Sequence, residues 1–513
     1  RTFCRKPTCA VSVLHTYDIA NFGSPVSKFW KIISNEHGLN EEGKFSGYST
    51  EEQLEHINVY YDESQGKNIV HFTLIHSVRW NSGIYSLVKH TLTKNGVGGV
   101  YVPRAVLVDS DSALLNTIGR RQCGGNAYRK QNFVGGHGGT GSNWAKGYYG
   151  SSEILSLIVD TIQSEAERCD RLQGFQLVHS MGGGTGSGLG GRVLDHVRVS
   201  YPNQVAHTYS IAPWMTVSDE PTESYNVLLS AVRLVGGAHA TYLADNRALF
   251  DTCCSSGNRG GGASAIPAYA DLNHLVSQIM SGTTTGLRFS SKLNADMRKC
   301  TANLVPYPRL HFFVPGFAPL TFRGQTDTGM YTISELATQL FGAVRQQRRC
   351  TGTDTIEAVV MAAVMTFRGR GLETDRSGSI PLQPTTEWIS DLERCWLPDN
   401  LKTFSYGVPS HGLENSGTVV ANTTAVRDVF ERYCQRFTSM LAKRKLLHKY
   451  TEEGMDSDEF RVAIEQIESL LAEYLAIEQI NCSGDDDGDK KSFTSTSCMV
   501  TSSTVDGCKL SVN

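Results

Sequence analysis

The stretch His179-Ser180-Met181-Gly182-Gly183-Gly184-Thr185-Gly186-Ser187-Gly188-Leu189-Gly190-Gly191 removes almost every side chain from a whole loop. Its neighbours decide how it is read. Upstream, Gly174-Phe175-Gln176-Leu177-Val178-His179 has the short, β-prone character of a buried strand. Downstream, Leu189, Val193, Leu194 and Val197 recur at helical spacing until Tyr201-Pro202. The order is strand, glycine loop, helix. In that order backbone N–H groups and the positive end of a helix converge on one point. Phosphate oxygens suit that point, and glycine lets them approach closely.

Three readings compete. A P-loop needs a lysine after its last glycine, but Ser187 follows Gly186, which disfavours the lysine cradle. Gly186-x-Gly188-x-x-Gly191 satisfies the dinucleotide fingerprint, yet Val205 to Pro213 offers no acidic residue for a ribose. A flexible linker would not sit tightly between a strand and a helix. A mononucleotide phosphate site without a lysine remains, its charge met by the helix dipole, backbone N–H groups and Mg²⁺.

A second glycine-rich stretch, Gly135-Gly136-His137-Gly138-Gly139-Thr140-Gly141-Ser142-Asn143-Trp144, follows Phe133-Val134. It opens a segment in which Ile154, Ile158 and Ile162 recur at helical spacing. Two such loops suggest two sides of a polyphosphate. Ala105-Val106-Leu107-Val108-Asp109-Ser110-Asp111 reads as a strand ending in carboxylates, a natural place for a metal-linked acid. For Asp111 the alternative is a turn or N-cap residue.

Composition bounds these readings. At 513 residues the chain exceeds a single core, so two or three packed domains are expected. With 40% hydrophobic residues, 19% charged residues and a net charge of -3, it lacks the basic excess of a nucleic-acid binder. No apolar run is long enough to span a bilayer and no secretory leader is visible, so a cytoplasmic protein without a membrane partner is expected. The 13 cysteines contain no CxxC pair, supporting neither a zinc site nor a disulfide framework; reduced core thiols are expected.

At this point the residues resemble the tubulin family. Gly182-Gly183-Gly184-Thr185-Gly186-Ser187-Gly188 resembles its signature loop. Ser142 to Gly147, Ala268 to Ser277 and Asn303 to Phe313 are similar to tubulin segments, and the similarity runs with interruptions from Lys28 to about Leu475. Ile57 to Tyr61, Phe317 to Thr321 and Arg444 to His448 resemble β rather than α chains. Lys299 stands where α chains carry the glutamate that helps activate water on the neighbouring subunit's nucleotide. A cation cannot act as that base. The resemblance therefore implies GTP hydrolysis only when an α subunit docks its glutamate, while the GTP lying against Lys299 stays intact.

By the same resemblance, Ser180, Gly184, Thr185 and Gly186 wrap the phosphates, and Gly141 and Ser142 face the terminal phosphate. Asp219 lies near the ribose and phosphates. Asn246 and Asn273 read the guanine edge, to which an amide offers a donor and an acceptor together. Tyr269 stacks on the base through its ring. Asp111 matches the metal-linked glutamate, one methylene shorter and able to act through a water. On the residues alone, Asn246 could instead cap a helix and Tyr269 could be core.

The departures are local. The family's first phosphate loop should precede Lys28-Phe29-Trp30, but the chain reads Tyr17-Asp18-Ile19-Ala20-Asn21-Phe22-Gly23-Ser24-Pro25-Val26-Ser27. Its glutamine has no counterpart, and Asp18 near phosphates would add repulsion. Ser142 replaces an asparagine. Asn68 to Gly99 is an insertion that reads as a hairpin: Ile69 to Ile75, a turn at Asn81-Ser82-Gly83, then Ile84 to Val88. With two apolar faces, such a hairpin is an association liability on a surface. Both this insert and the first 27 residues lie flush against matching segments, and the chain begins with Arg1; the reading is translated non-coding sequence in the gene model. Tryptic peptides from 68–89 in protein isolated from its native cells would overturn it. Gly257-Asn258-Arg259-Gly260-Gly261-Gly262 replaces a more ordered family loop before Tyr269, and Gly484-Asp485-Asp486-Asp487-Gly488-Asp489 is a shorter acidic tail than tubulins carry.

The expected fold is α/β. A Rossmann-like GTP-binding domain spans 1–268, a core helix 269–290 and a mixed α/β domain 291–421. C-terminal helices follow at 422–480, then a disordered tail at 481–513. The helices are marked by Val426, Val429, Phe430, Tyr433, Phe437, Met440 and Leu441, and by Phe460, Ile464, Ile467, Leu471 and Tyr474. The expected function is a β-tubulin-like, GTP- and Mg²⁺-binding subunit of the cytoplasmic cytoskeleton that pairs with α-tubulin and polymerises head to tail into microtubules. Its helical crest would meet motors and associated proteins. The alternatives are an assembly-incompetent regulatory relative or a self-contained GTPase.

Overall fold

The structure is a computed structural model describing residues 8–15, 25–45, 51–54, 56–64, 75–79, 85–89, 99–112, 115, 128–218, 220–257, 267–289, 296–320, 331–349, 358–370 and 401–483. Outside the described residues lie Asp219, the stretch 16–24 with Asp18, most of the expected hairpin's first strand and its turn, the patch from Asn258 to Gly262, and the acidic tail.

Fourteen strands are described: β1 (Thr8–His15), β2 (Tyr61–Ser64), β3 (Ile75–Arg79), β4 (Tyr85–Lys89), β5 (Val100–Pro103), β6 (Ala105–Asp109), β7 (Phe133–Gly135), β8 (Arg171–Ser180), β9 (Val205–Ala212), β10 (Ala240–Asp245), β11 (Phe312–Ala318), β12 (Val360–Gly369), β13 (Leu401–Tyr406) and β14 (Asn415–Thr423). The helices that matter here are α1 (Pro25–Glu36), α2 (Trp144–Tyr149), α3 (Ser152–Glu167), α4 (Gly190–Ser200), α5 (Glu223–Gly237), α6 (Asn246–Gly257), α7 (Tyr269–Thr283), α8 (Thr285–Arg288), α9 (Met297–Leu304), α10 (Ile333–Arg349), α11 (Val426–Ala442), α12 (Leu447–Thr451) and α13 (Asp458–Ser483).

Ten strands form one sheet in the order β13-β12-β14-β11-β10-β9-β8-β1-β6-β7. From β7 to β11 every neighbouring pair is parallel. β14 lies antiparallel between β11 and β12, and β13 is parallel to β12. The sheet thus runs without a break from the glycine-loop half into the second α/β half. Parallel strands joined by helical crossovers are covered on both faces; accordingly β6, β9, β10 and β11 are buried at every residue.

Helices α3, α4 and α5 pack one face of the sheet together with α11 and α13. The other face is covered by α1, α7 and α9. Helix α10 lays Leu336, Ala337, Leu340 and Val344 on β11 and β14. The C-terminal helices belong to the core: Phe430, Phe437, Phe460, Ile467 and Tyr474 are fully buried, each burial stabilising by roughly 1.5–3 kcal/mol. On α13 the buried line is Phe460, Ala463, Ile467, Leu470, Tyr474 and Ile477. Ile464 and Leu471, expected on that line, are half-buried at its edge. Steps of three and four alternate along it, so alanine at 463 falls on the buried line while the larger Ile464 borders it.

Strand β1 proceeds to β6 and β7 on one side, whereas β8, β9 and β10 follow on the other. The strand order therefore reverses between β1 and β8, and ligands of open α/β sheets bind beyond the carboxyl ends at such a point. The loop 181–184 begins there.

In the insertion, β3 pairs antiparallel with β4, Ile75 opposite Lys89 and Arg79 opposite Tyr85. Residues 76–79, expected in the connection, are thus part of the ladder. A shorter closing loop costs less entropy than the eight-residue connection, 76–83, read from the sequence. The insertion issues from the open end of the β2–β5 ladder, where Ser64 faces Val100. Among the described cysteines none forms a disulfide; Cys253 and Cys434 are buried and Cys254 is exposed.

Candidate functional site

Strand β8 ends at Ser180, whose Oγ accepts the Gly182 N–H at 3.2 Å. The chain then turns through Gly183 and Gly184 into a wide π-type turn over Thr185–Leu189 that opens α4. Such turns are uncommon and concentrate at functional sites. Among the described residues nothing accepts from the N–H of Gly183 or Gly184. Unpaired donors at the start of a helix suit an anion.

Only part of the glycine content serves that purpose. A Cβ on Gly184 would stand 2.5 Å from the Asn143 carbonyl oxygen, and one on Gly186 2.5 Å from that of Ser180. On Gly188 it would strike the Trp144 carbonyl, and on Gly147 the Gly184 carbonyl. Gly147, Gly184 and Gly188 let the two loops pack backbone to backbone, and Gly186 lets its own loop fold back on Ser180. Gly183 faces open space instead, as do Gly138, Gly139 and Gly141 of the second loop. The second loop also holds Ser142 at φ 54, a left-handed conformation unfavourable for a residue with a side chain.

Side chains join the loops and the strand ends. The Thr185 hydroxyl lies 2.5 Å from that of Ser110, at the end of β6, and 3.0 Å from that of Thr140. Asp111, half-buried, follows Ser110, and its N–H donates to the Asp109 carboxylate at 3.1 Å. Buried Asn226 of α5 donates through Nδ2 to the Ser142 and Gly182 carbonyls at 2.7 and 2.6 Å, tying loop to loop. Beneath them His179 stands between the Gly186 carbonyl at 3.0 Å and the Ser210 hydroxyl at 2.7 Å. A carbonyl only accepts, so Nδ1 carries the proton and Nε2 faces Ser210. Burial holds this imidazole at about 4, neutral at pH 7.

The residues expected to read a base sit on neighbouring elements at the same sheet edge. Asn246, 5% exposed, is the first residue of α6, directly after β10. The preceding Asp245 accepts the Arg247 N–H at 3.2 Å and holds Arg432 of α11 at 2.5 Å. Tyr269 opens α7 with 42% of its surface exposed, and Asn273 follows one turn later, half-buried. Helix α7 is pinned to α1 by Lys28, which donates to the Ala270 carbonyl at 2.6 Å, and by Ser277, which donates to the Pro25 carbonyl at 2.8 Å.

The structure thus draws Ser180, Gly184, Thr185 and Gly186 together with Gly141 and Ser142 into one cradle, with Asp111 beside Ser110. Asn246, Tyr269 and Asn273 stand along the adjoining edge, and Asp219 lies outside the described residues. Sequence reasoning missed Asn226, Ser110 and Thr140. Asn226 left a signal: an amide within the apolar run Tyr225-Asn226-Val227-Leu228-Leu229, where burial demands partners.

The residues fit a nucleotide: backbone donors, a helix start and glycines with open space around them lie on the two loops joined through Thr140, Ser142, Thr185 and Asn226. Among the described residues no three metal-ligating side chains converge. Mg²⁺ commonly takes one or two carboxylates with the rest of its shell from phosphates and water, a pattern within reach of Asp111.

Comparison with protein families agrees with this geometry. The Tubulin/FtsZ family GTPase domain matches residues 23–254, spanning both glycine loops and Asn246. The tubulin C-terminal domain matches residues 308–435, spanning β11 to β14 and most of α11. Together they cover most of the chain in tandem, on one continuous sheet, and the chain accordingly belongs to the tubulin family as a tubulin-like GTP-binding protein.

Proposed function

We propose that this chain is a β-type tubulin: a GTP- and Mg²⁺-binding subunit that pairs with α-tubulin and polymerises head to tail into cytoplasmic microtubules. The observation that carries the β assignment is Lys299. It occupies the first turn of α9, exposed, with its N–H donating to the capping Asp296 carboxylate at 2.7 Å. That position presents a cation to whatever docks on α9, and a cation cannot abstract a proton from water. GTP held by a neighbour against this surface would therefore persist, and the chain's own GTP would be hydrolysed by a carboxylate supplied in trans.

Ser180, Gly184, Thr185 and Gly186 would wrap the phosphates, Gly141 and Ser142 would face the terminal phosphate, and Asp111 would hold the Mg²⁺ through water. Asn246 and Asn273 would select guanine, Tyr269 would stack on it, and Asp219 would lie near the ribose. The outer faces of α11 and α13 would meet motors and associated proteins. The test is co-expression with α-tubulin, purification of the complex and quantification of GTP and GDP per heterodimer. Two nucleotides are expected. One nucleotide would overturn GTP binding by this chain, and failure to form a heterodimer would overturn the pairing.

A further inference from the structure

Asn226 does more than join two loops. Its side chain uses all of its hydrogen-bonding capacity inside the protein. Nδ2 serves the Ser142 and Gly182 carbonyls at 2.7 and 2.6 Å, while Oδ1 accepts the Trp144 N–H at 3.0 Å and the Tyr450 hydroxyl at 2.7 Å. The donors and acceptors around it leave one orientation of the amide. Tyr450 belongs to α12, in the outer helical layer, and is fully buried.

Further bonds run along the same seam. The Asn143 amide donates to the Lys449 carbonyl at 2.7 Å, and Thr222 donates to the Ser142 carbonyl at 3.0 Å. Tyr225 donates to the Lys445 carbonyl at 3.1 Å. The second phosphate loop is therefore hydrogen-bonded to the C-terminal segment as well as to its own domain. Moving Lys445–Tyr450 displaces the Tyr450 hydroxyl and the Lys449 carbonyl, and the nearest groups that must follow are Asn226 and Asn143.

We propose that Asn226 is a positioning residue through which α12 sets the spacing of the two phosphate loops, making affinity for the terminal phosphate sensitive to the outer helical layer. The inference rests on the GTP-site reading above. Asn226 touches no nucleotide; it acts through the Ser142 and Gly182 carbonyls. Because Ser142 belongs to the loop assigned to the terminal phosphate, loosening the seam weakens GTP more than GDP. A merely structural role would weaken both equally or neither.

The test uses the full chain, in the complex in which it purifies, and measures affinity and release of fluorescently labelled GTP and GDP. Tyr450→Phe removes one hydroxyl from the α12 side and leaves both loops intact. Asn226→Asp removes the two loop-tying donors and keeps the acceptor. Tyr209→Phe is the control: it deletes another buried hydroxyl, bonded to Thr283 at 2.9 Å on the opposite face of the sheet. Tyr450→Phe is expected to lower GTP affinity by ~2- to 10-fold, the range of one buried hydrogen bond, with a smaller change for GDP. Asn226→Asp should do so more strongly, and Tyr209→Phe should match wild type. Equal shifts for GTP and GDP, or Tyr450→Phe indistinguishable from Tyr209→Phe, overturn the inference alone. Wild-type protein that binds neither nucleotide overturns it together with the GTP site.

Discussion

Two regions hold the two halves of this protein to a common framework, and they do so by opposite physics. At the carboxyl edge of the sheet the phosphate loops are joined by neutral groups: glycine backbones in contact, threonine and serine hydroxyls, and the Asn226 amide. Beneath α1, on the other face, the junction is ionic. Glu36, at the end of α1, is fully buried with Arg288 of α8 at 2.6 Å and Arg368 of β12 at 2.9 Å. Ser281 of α7 donates to both Glu36 oxygens at 2.9 and 3.0 Å, and Arg368 also donates to the Val408 and Pro409 carbonyls at 3.0 and 3.1 Å. Both guanidiniums lie over the Phe289 ring, at 4.8 and 5.3 Å from its centre.

The difference teaches what each junction tolerates. The glycine-loop region leaves backbone donors unpaired and joins its loops through neutral groups, with the Asp109 and Asp111 carboxylates beside them at the end of β6. A region built to lock the first helix to a distant strand can use buried charge, provided every charge is paired. Such a network is costly to form and far costlier to half-remove, because one deletion strands a buried ion.

The sharpest way to break the comparison is therefore Glu36→Ala, which strands two buried guanidiniums. A loss of about 3–5 kcal/mol is expected, read as a large drop in the urea midpoint; a midpoint close to wild type would mean the cluster is not a lock. Acid gives a second measure. Burial alone would raise the Glu36 carboxyl, but Arg368 and Arg288 outweigh it and hold it at about 2, against an ordinary 4.5. A depressed carboxylate contributes its full stabilisation above pH 4.5 and loses it as pH falls through 4.5 toward 2, on the order of ~3 kcal/mol. His179, held at about 4 against 6.5 by burial, adds a loss at the phosphate loops as pH falls from 6.5 to 4, and His37, held at about 3, does the same beside the cluster. Urea midpoints across this range should fall in both windows, and Glu36→Gln should flatten the lower one.

Smaller effects separate the glycines. Gly188→Ala forces a methyl against the Trp144 carbonyl, a backbone group that cannot rotate away. About 1–3 kcal/mol of overpacking is expected, with weakened GTP retention as α2 is pushed off the loop. Gly183→Ala meets nothing within 4 Å and should leave stability within ~0.5 kcal/mol of wild type. Equal melting of the two variants would show that the loop glycines are not divided between packing and approach.

The strand-loop-helix units were legible because glycine runs and apolar periodicity are local signals. Gly174–His179 lies within the observed β8, Leu189 ends the turn that opens α4 and Val193, Leu194 and Val197 line its buried side, and Ile154, Ile158 and Ile162 line the buried side of α3. Val426, Phe430, Tyr433, Phe437 and Met440 form the buried stripe of α11, as their spacing predicts. The hairpin register and the inward line of α13 were less legible. Each depends on which of two adjacent apolar residues meets a partner, and periodicity is nearly symmetric to that choice. Glu36, Ser281, Arg288 and Arg368 carried no signal: they are scattered along the chain, and a charged residue at a helix end reads as solvated until a partner is known.

By itself the sequence determined where backbone is bare, where strands and helices begin, and that a lysine stands at the start of α9, because these properties belong to residues and their near neighbours. Only the tertiary structure decided that the two glycine loops interlock through Gly147, Gly184 and Gly188 and that Asn226 bridges them to Tyr450. It also decided that a glutamate at the end of the first described helix pairs with an arginine from the far half of the sheet. The reason is physical: close approach, hydrogen-bond satisfaction and ion pairing are properties of distances between elements, and those distances exist only once the sheet has set the order of its strands.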